Sequence, residues 1–179
     1  KVKKAAEGFI IEGTQRITVD RLIVACGGIA GSNTNSLTST KTYSSLVNAT
    51  NNGNITLGGN AGATSQVGGL IGNGGNYDNK NENLTNTGDV IVTAKSGSPI
   101  YAGGISGNNP EWTMTNLVNN GNVLISSEAQ ATYFFAGGIA GQQTSNSTTY
   151  KNCSTGEGTY VKIDGATFTN GMISDEHAV

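Results

Sequence analysis

The sequence predicts an all-β solenoid of about four turns, and three observations predict it. A five-residue glycine motif recurs along the chain. A second, unrelated motif recurs with much the same period. A short alternating apolar segment follows each copy of the second motif, and one more copy of that segment precedes the first glycine motif.

The glycine motif reads GGIAG at 27–31, GGLIG at 68–72, GGISG at 103–107 and GGIAG at 137–141, with spacings of 41, 35 and 34 residues. A weaker echo, NGMIS, occupies 170–174. The second motif reads NATNNGNITL at 48–57, NLTNTGDVIV at 83–92 and NLVNNGNVLI at 116–125, with a decayed copy, KNCSTGEGTYVKI, over 151–163. Two markers with a shared period make chance a poor explanation. The period varies from 33 to 41 residues, and surface loops of a solenoid absorb such differences.

The alternating segment is the expected strand. Ile17/Val19, Ile55/Leu57, Val90/Val92, Val123/Ile125 and Val161/Ile163 each put two apolar residues on one face, so the strand copies are expected to start at 17, 55, 90, 123 and 161. One repeat has too little apolar surface to fold alone. Stacking each pair over its equivalent makes a continuous core, with parallel strands roughly 4.8 Å apart. Residues 1–16 lie outside this pattern and are expected to form an N-terminal cap or a lead-in strand, leaving 17–179 as the repeat domain.

The corners follow from the polar residues. Gly53, Gly88, Gly121 and Gly156 precede the strand copies and are expected to turn the chain with positive φ. Asn51, Asn86 and Asn119 are expected to stack, each amide bonding to its copy, with Ser154 in that place in the last repeat. The GG pair is expected to supply a second corner or a bulge, where a side chain would crowd the neighbouring turn. A glycine-rich, period-two chain cannot keep a helical apolar stripe. A β-sandwich also has many short strands, but it gives no reason for two markers to share one spacing.

Composition fits this reading. Gly takes 27 of the 179 positions and Asn and Thr 22 each, a mixture suited to strands joined by tight turns. Charged residues are 12%, about half the usual share. Net charge is −2, and the only arginines are Arg16 and Arg21, so the basic stripe of a nucleic-acid binder is missing. The longest apolar run, Leu22–Cys26, is far short of the about 20 residues of a membrane span. The opening KVKKAAEGFIIEG has no leader-like core, so the chain reads as part of a longer, processed protein. Low charge with abundant Asn, Thr and Ser suggests an exported, extracellular bacterial surface protein.

The GGIAG, GGLIG, GGISG and GGIAG segments, joined to NTGDV and NNGNV, resemble the GLUG-type repeat of large bacterial cell-surface proteins, including adhesin-like proteins of gut Bacteroidetes. The resemblance covers about residues 17–174. It implies a right-handed parallel β-helix and a role in adhesion. Asn170 and Met172 depart from the pattern in the last copy.

Residues able to do chemistry are few, and no catalytic, metal or cofactor site is predicted. Cys26 stands where other copies have Val67, Ala102 and Ala136, and Cys153 aligns with Val118, Thr85 and Thr50. Both read as packing thiols about three turns apart, roughly 14 Å along the axis and beyond disulfide reach. The single histidine, His177, is the third residue from the end of the sequence. Asp89 reads as a corner residue, Asp20 and Asp164 follow strands, and Glu111, Glu128 and Glu157 fall in different repeat phases, so no paired acids emerge. Asn76, Asp78, Asn79 and Glu82 form an oxygen-rich loop that suits calcium, but Lys80 sits among them and the simpler reading is a solvated loop. Sequons at Asn48, Asn54, Asn83, Asn146 and Asn152 are expected by chance in so Asn- and Thr-rich a chain.

Aromatic residues give the one candidate ligand face: Tyr101, Trp112, Tyr133 and Phe135, with Tyr77, Phe134 and Tyr150 nearby. Tyr101 and Phe135 are copies of one another, so they either pack as an aromatic ladder or join a carbohydrate-stacking face. The expected function is a non-catalytic adhesion or ligand-presenting module whose partner is a host or cell-surface glycan or protein, within a longer parent chain. A structural stalk is the second reading, and a polysaccharide-active β-helix enzyme the third.

Overall fold

The structure is a computed structural model that describes residues 9–11, 15–19, 25–32, 46–61, 63–74, 80–109, 113–143, 149–164 and 167–168. Among them there is no helix, and the strands pair in four sheets. The first sheet takes Phe9–Ile11, Leu46–Asn51, Lys80–Asn86, Thr113–Asn119 and Thr149–Lys151 in that order, with Ser154–Thr155 beside the end of Thr113–Asn119. The second takes Gln15–Val19, Ile55–Ala61, Val90–Val92, Val123–Ile125 and Val161–Ile163, extended by Lys95–Ser96, Gln130–Ala131 and Thr167–Phe168. The third takes Ala25–Gly27, Ser65–Gly68, Ile100–Gly103 and Phe134–Gly137, and the fourth Ala30–Ser32, Ile71–Asn73, Ser106–Asn109 and Ala140–Gln143.

Described pairings are parallel, as in Leu46–Asn51 on Lys80–Asn86 and Ile100–Gly103 on Phe134–Gly137. The chain runs from the first sheet to the fourth and then returns to the first, beside its earlier strand. This order is consistent with a β-solenoid.

The repeats are in register where the sequence aligns them. Ile55 pairs with Val90, Val90 with Val123 and Val123 with Val161; Leu57, Val92, Ile125 and Ile163 follow two residues on. Ile55, Leu57, Val90, Val92, Val123 and Ile125 are fully buried, while Ile91 and Leu124 between them are half-buried on the opposite face.

Two apolar cores result. Ile55, Leu57, Val90, Val92, Val123 and Ile125 of the second sheet pack with Val67, Ile100, Ala102 and Phe134 of the third. Ala49, Leu84, Met114 and Leu117 of the first sheet pack with Ile71 of the fourth and with Leu70, Ile105 and Ile139 from the corner before it. Cys26 lies in the column of Val67, Ala102 and Ala136, where a small apolar group fits.

Three expectations are corrected. The first strand copy starts at Gln15, not Ile17: Gln15 lies opposite Ile55 and Ile17 opposite Leu57. Ahead of it, Phe9–Ile11 pairs with Ala49–Asn51 as a further strand of the first sheet. The last copy is also out of phase with its sequence alignment. Thr155, not Ser154, pairs with Asn119, and Ser154 pairs with Val118. Cys153 therefore follows Leu117 and packs against that core, and Gly156 abuts Asn120 rather than standing on Gly121. A tight turn, closed by Thr159 N donating to Gly156 O at 3.2 Å, absorbs the difference.

The third correction concerns backbone conformation. Gly53, Gly88, Gly121 and Gly156 do not have positive φ. Gly53, Gly88 and Gly121 form a column in which successive corners touch. A Cβ on Gly121 would meet the Gly88 carbonyl and lie 3.0 Å from Asn86 Nδ2. Among the described residues other than glycine, the left-handed positions are Asn48, Asn83, Asn116 and Asn152, with φ of 54°, 55°, 55° and 53°. Asparagine tolerates this conformation better than other residues with a side chain.

Candidate functional site

The conspicuous polar structure is the buried asparagine ladder. Each of its residues ends a strand of the first sheet at the corner into the second. Asn51 Nδ2 donates to Asn86 Oδ1 at 2.8 Å, and Asn86 Nδ2 to Asn119 Oδ1 at 2.9 Å. The remaining Nδ2 hydrogens go to the carbonyls of Gly53, Gly88 and Gly121, at 2.7, 2.6 and 2.7 Å. Burial without these bonds would cost each amide several kcal/mol, on the order of 2–7. With them, the ladder fixes both the corner and the register.

The ladder also explains the GG motif. The second glycine of each pair faces the asparagine of the next repeat across the interior. A Cβ on Gly69 would lie 2.5 Å from Asn86 Cγ, and one on Gly28 3.0 Å from Asn51 Cγ. Gly104 meets Asn119 in the same way, and Gly138 meets Thr155. The seam formed by these contacts runs between the two apolar cores. The fifth glycine of the motif lets the fourth sheet lie against the backbone of the third: a Cβ on Gly107 would be 2.8 Å from the Gln66 carbonyl carbon.

Two further ladders lie outside the core. The left-handed asparagines bond along the stack, Asn83 Nδ2 to Asn48 Oδ1 and Asn116 Nδ2 to Asn83 Oδ1 at 2.8 Å each, and Asn152 Nδ2 to Asn116 Oδ1 at 3.3 Å. Its sequence signal, an asparagine three residues before the buried rung, is readable in all three complete copies. Beside the corner, Asp89 N donates to Asn54 Oδ1 at 2.8 Å, and Asp89 Oδ1 accepts from Asn122 N at 2.8 Å and Asn122 Nδ2 at 3.0 Å. Asp89 thus serves as a corner residue.

On the outer wall, Tyr101 and Phe135 are half-buried and stacked, with ring centroids 4.8 Å apart and planes 23° apart. Gln66 is the next residue in that column, and Tyr101 also hydrogen-bonds Gln142. Burial pushes the Tyr101 phenol up, and the Gln142 bond partly opposes this. Tyr133 is half-buried two residues before Phe135. Trp112 and Tyr77 lie outside the described residues, as do His177, Asp20, Glu111 and the calcium-loop residues Asn76, Asp78 and Asn79.

Both cysteines are free. Burial raises the Cys26 thiol to about 11, which keeps it protonated and unreactive at neutral pH. Among the described residues, no three His, Cys, Asp or Glu side chains gather to hold a metal, and no helix is long and apolar enough to cross a membrane. No family model, curated protein or solved structure matches the chain.

Proposed function

We propose that this chain is a non-catalytic repeat domain of an extracellular bacterial surface protein, a right-handed parallel β-helix of about four turns that presents its side wall to a partner glycan or protein. The observation that carries the reading is the half-exposed aromatic column of Tyr101 and Phe135, with Tyr133 beside it, on strands fixed in register by the ladders. Rigid aromatic groups on a rigid wall lose little entropy on binding. The resemblance to GLUG-type repeats points the same way.

A screen of the purified domain against arrays of glycans and surface proteins tests this. Binding should weaken by about tenfold or more in Tyr133→Ala and Phe135→Ala variants with wild-type circular dichroism, as expected for aromatic anchors. A ligand bound equally by both variants would remove the aromatic wall from the reading.

A second reading is a spacer that holds another domain away from the cell. The ring stacking favours it, because Tyr101 and Phe135 turn one face each to the other and so spend it on the stack. The hydrogen-bonded ladders along the stack also suit a stiff rod. Failure to bind any ligand in the same screen would favour this second reading.

A further inference from the structure

Asn-Gly pairs occur at 52–53, 73–74, 120–121 and 170–171, and the first three lie in described residues. Asn-Gly is the dipeptide most open to spontaneous deamidation, because glycine has no side chain to hinder attack by its own nitrogen. Solvent hydroxide takes the glycine amide proton and the nitrogen attacks the asparagine Cγ. The Cγ–Nδ2 bond breaks and ammonia leaves. Water then opens the cyclic imide to aspartate or isoaspartate.

Asn52 and Asn120 are both solvent-exposed, so exposure alone would leave them vulnerable. The reacting nitrogens, however, are held. Gly53 N donates to Asn51 Oδ1 and Gly121 N to Asn119 Oδ1, at 3.2 Å each. The same two amides grip the glycine carbonyls through Nδ2, at 2.7 Å in both repeats. Asn119 Oδ1 is itself fixed by Asn86 Nδ2 at 2.9 Å. At the third pair, Gly74 N donates to the Asn108 carbonyl at 3.0 Å.

We propose that the buried asparagine ladder is also a chemical lock, which suppresses deamidation of Asn52 and Asn120 by holding the nitrogens of Gly53 and Gly121. To cyclise, the nitrogen must first leave a buried amide oxygen, so the reaction waits on local opening of the corner. A repeat domain outside the cell, beyond the reach of resynthesis, gains lifetime from this.

The test is incubation of the full chain at mildly alkaline pH, native and in concentrated urea, with peptide mapping of aspartate and isoaspartate. Native conversion at Asn52 and Asn120 should be at least about tenfold slower than in urea, as a local opening equilibrium requires. Asn119→Thr, which copies the chain's own Thr155 in the same column, should speed conversion at Asn120 several-fold and leave Asn52 unchanged. Equal native and urea rates, or an unaccelerated Asn120 in folded Asn119→Thr, would overturn the proposal. If Asn119→Thr unfolds, both sites accelerate together and amide exchange in the wild-type protein decides. Slow exchange at Gly53 and Gly121, matched by the same factor in deamidation, supports the lock; rapid exchange refutes it.

Discussion

Gly104 lies against the side chain of Asn119, and a methyl group placed on it would collide with Asn119 Nδ2 and with the Gly138 carbonyl oxygen. The two recurring markers of this sequence are therefore two sides of one contact. Gly104→Ala is expected to destabilise the fold by about 2–3 kcal/mol, the cost of overpacking a site that cannot relax. Gly97 is the control, because nothing lies within 4 Å of a Cβ there. Gly97→Ala should be neutral or stabilising by less than about 1 kcal/mol. Urea unfolding of the two variants checks both, and equal effects would refute the collision.

The central rung of the buried ladder should cost more than its ends. Asn86 both accepts from Asn51 and donates to Asn119. Asn86→Ala is expected to lose on the order of 2–3 kcal/mol, chiefly because its neighbours lose a partner while buried. Thr149→Ala, at an exposed position, is the comparison. Melting curves that shift alike for both would show that the ladder contributes nothing.

The outer ladder separates backbone strain from hydrogen bonding. Asn83 has φ of 55° and is exposed, and it bonds to Asn48 and Asn116. Asn83→Gly loses the bonds but adopts the conformation without strain; Asn83→Ala loses both. The alanine variant should be less stable than the glycine variant by about 1 kcal/mol. The reverse order in denaturant titrations would show that φ is not the constraint.

Alkaline pH should weaken the fold in a defined window. The Cys26 thiol rises from 9.0 to about 11 on burial, so the native state holds its proton more tightly than the unfolded chain. The stabilisation is complete below pH 9 and is lost as pH climbs toward 11. Cys26→Val, which copies Val67 in the same column, should melt at a temperature less dependent on pH across that range. An unchanged pH dependence would mean the thiol is not coupled to folding.

How much of this is legible in the sequence varies by repeat, and for physical reasons. The three complete copies align residue for residue, because Ile55, Val90 and Val123 are tied to an asparagine and a glycine at fixed distance. The first copy lacks that asparagine. Strand alternation has a period of two, so a slip from Gln15 to Ile17 leaves the apolar pattern looking the same. The last copy misleads through residue type: Gly156 matches Gly121 by identity, whereas phase is set by the left-handed Asn152. Residue type points to Gly53, Gly88 and Gly121 for positive φ, yet at each of these corners it is the exposed asparagine five residues earlier, Asn48, Asn83 or Asn116, that carries it. The aromatic pair is legible as a pair, but the partner of Tyr101 on the fourth sheet, Gln142, has no sequence signal.

The seam between the two cores also bears on how such a chain changes length. Each glycine of the seam meets an asparagine, or Thr155, from the repeat that follows it. An in-frame gene duplication of one period therefore adds one glycine and one asparagine together, wherever recombination breaks the repeat. The new glycine meets an amide already waiting and the new amide meets a glycine, so copy number can grow or shrink without any compensating mutation.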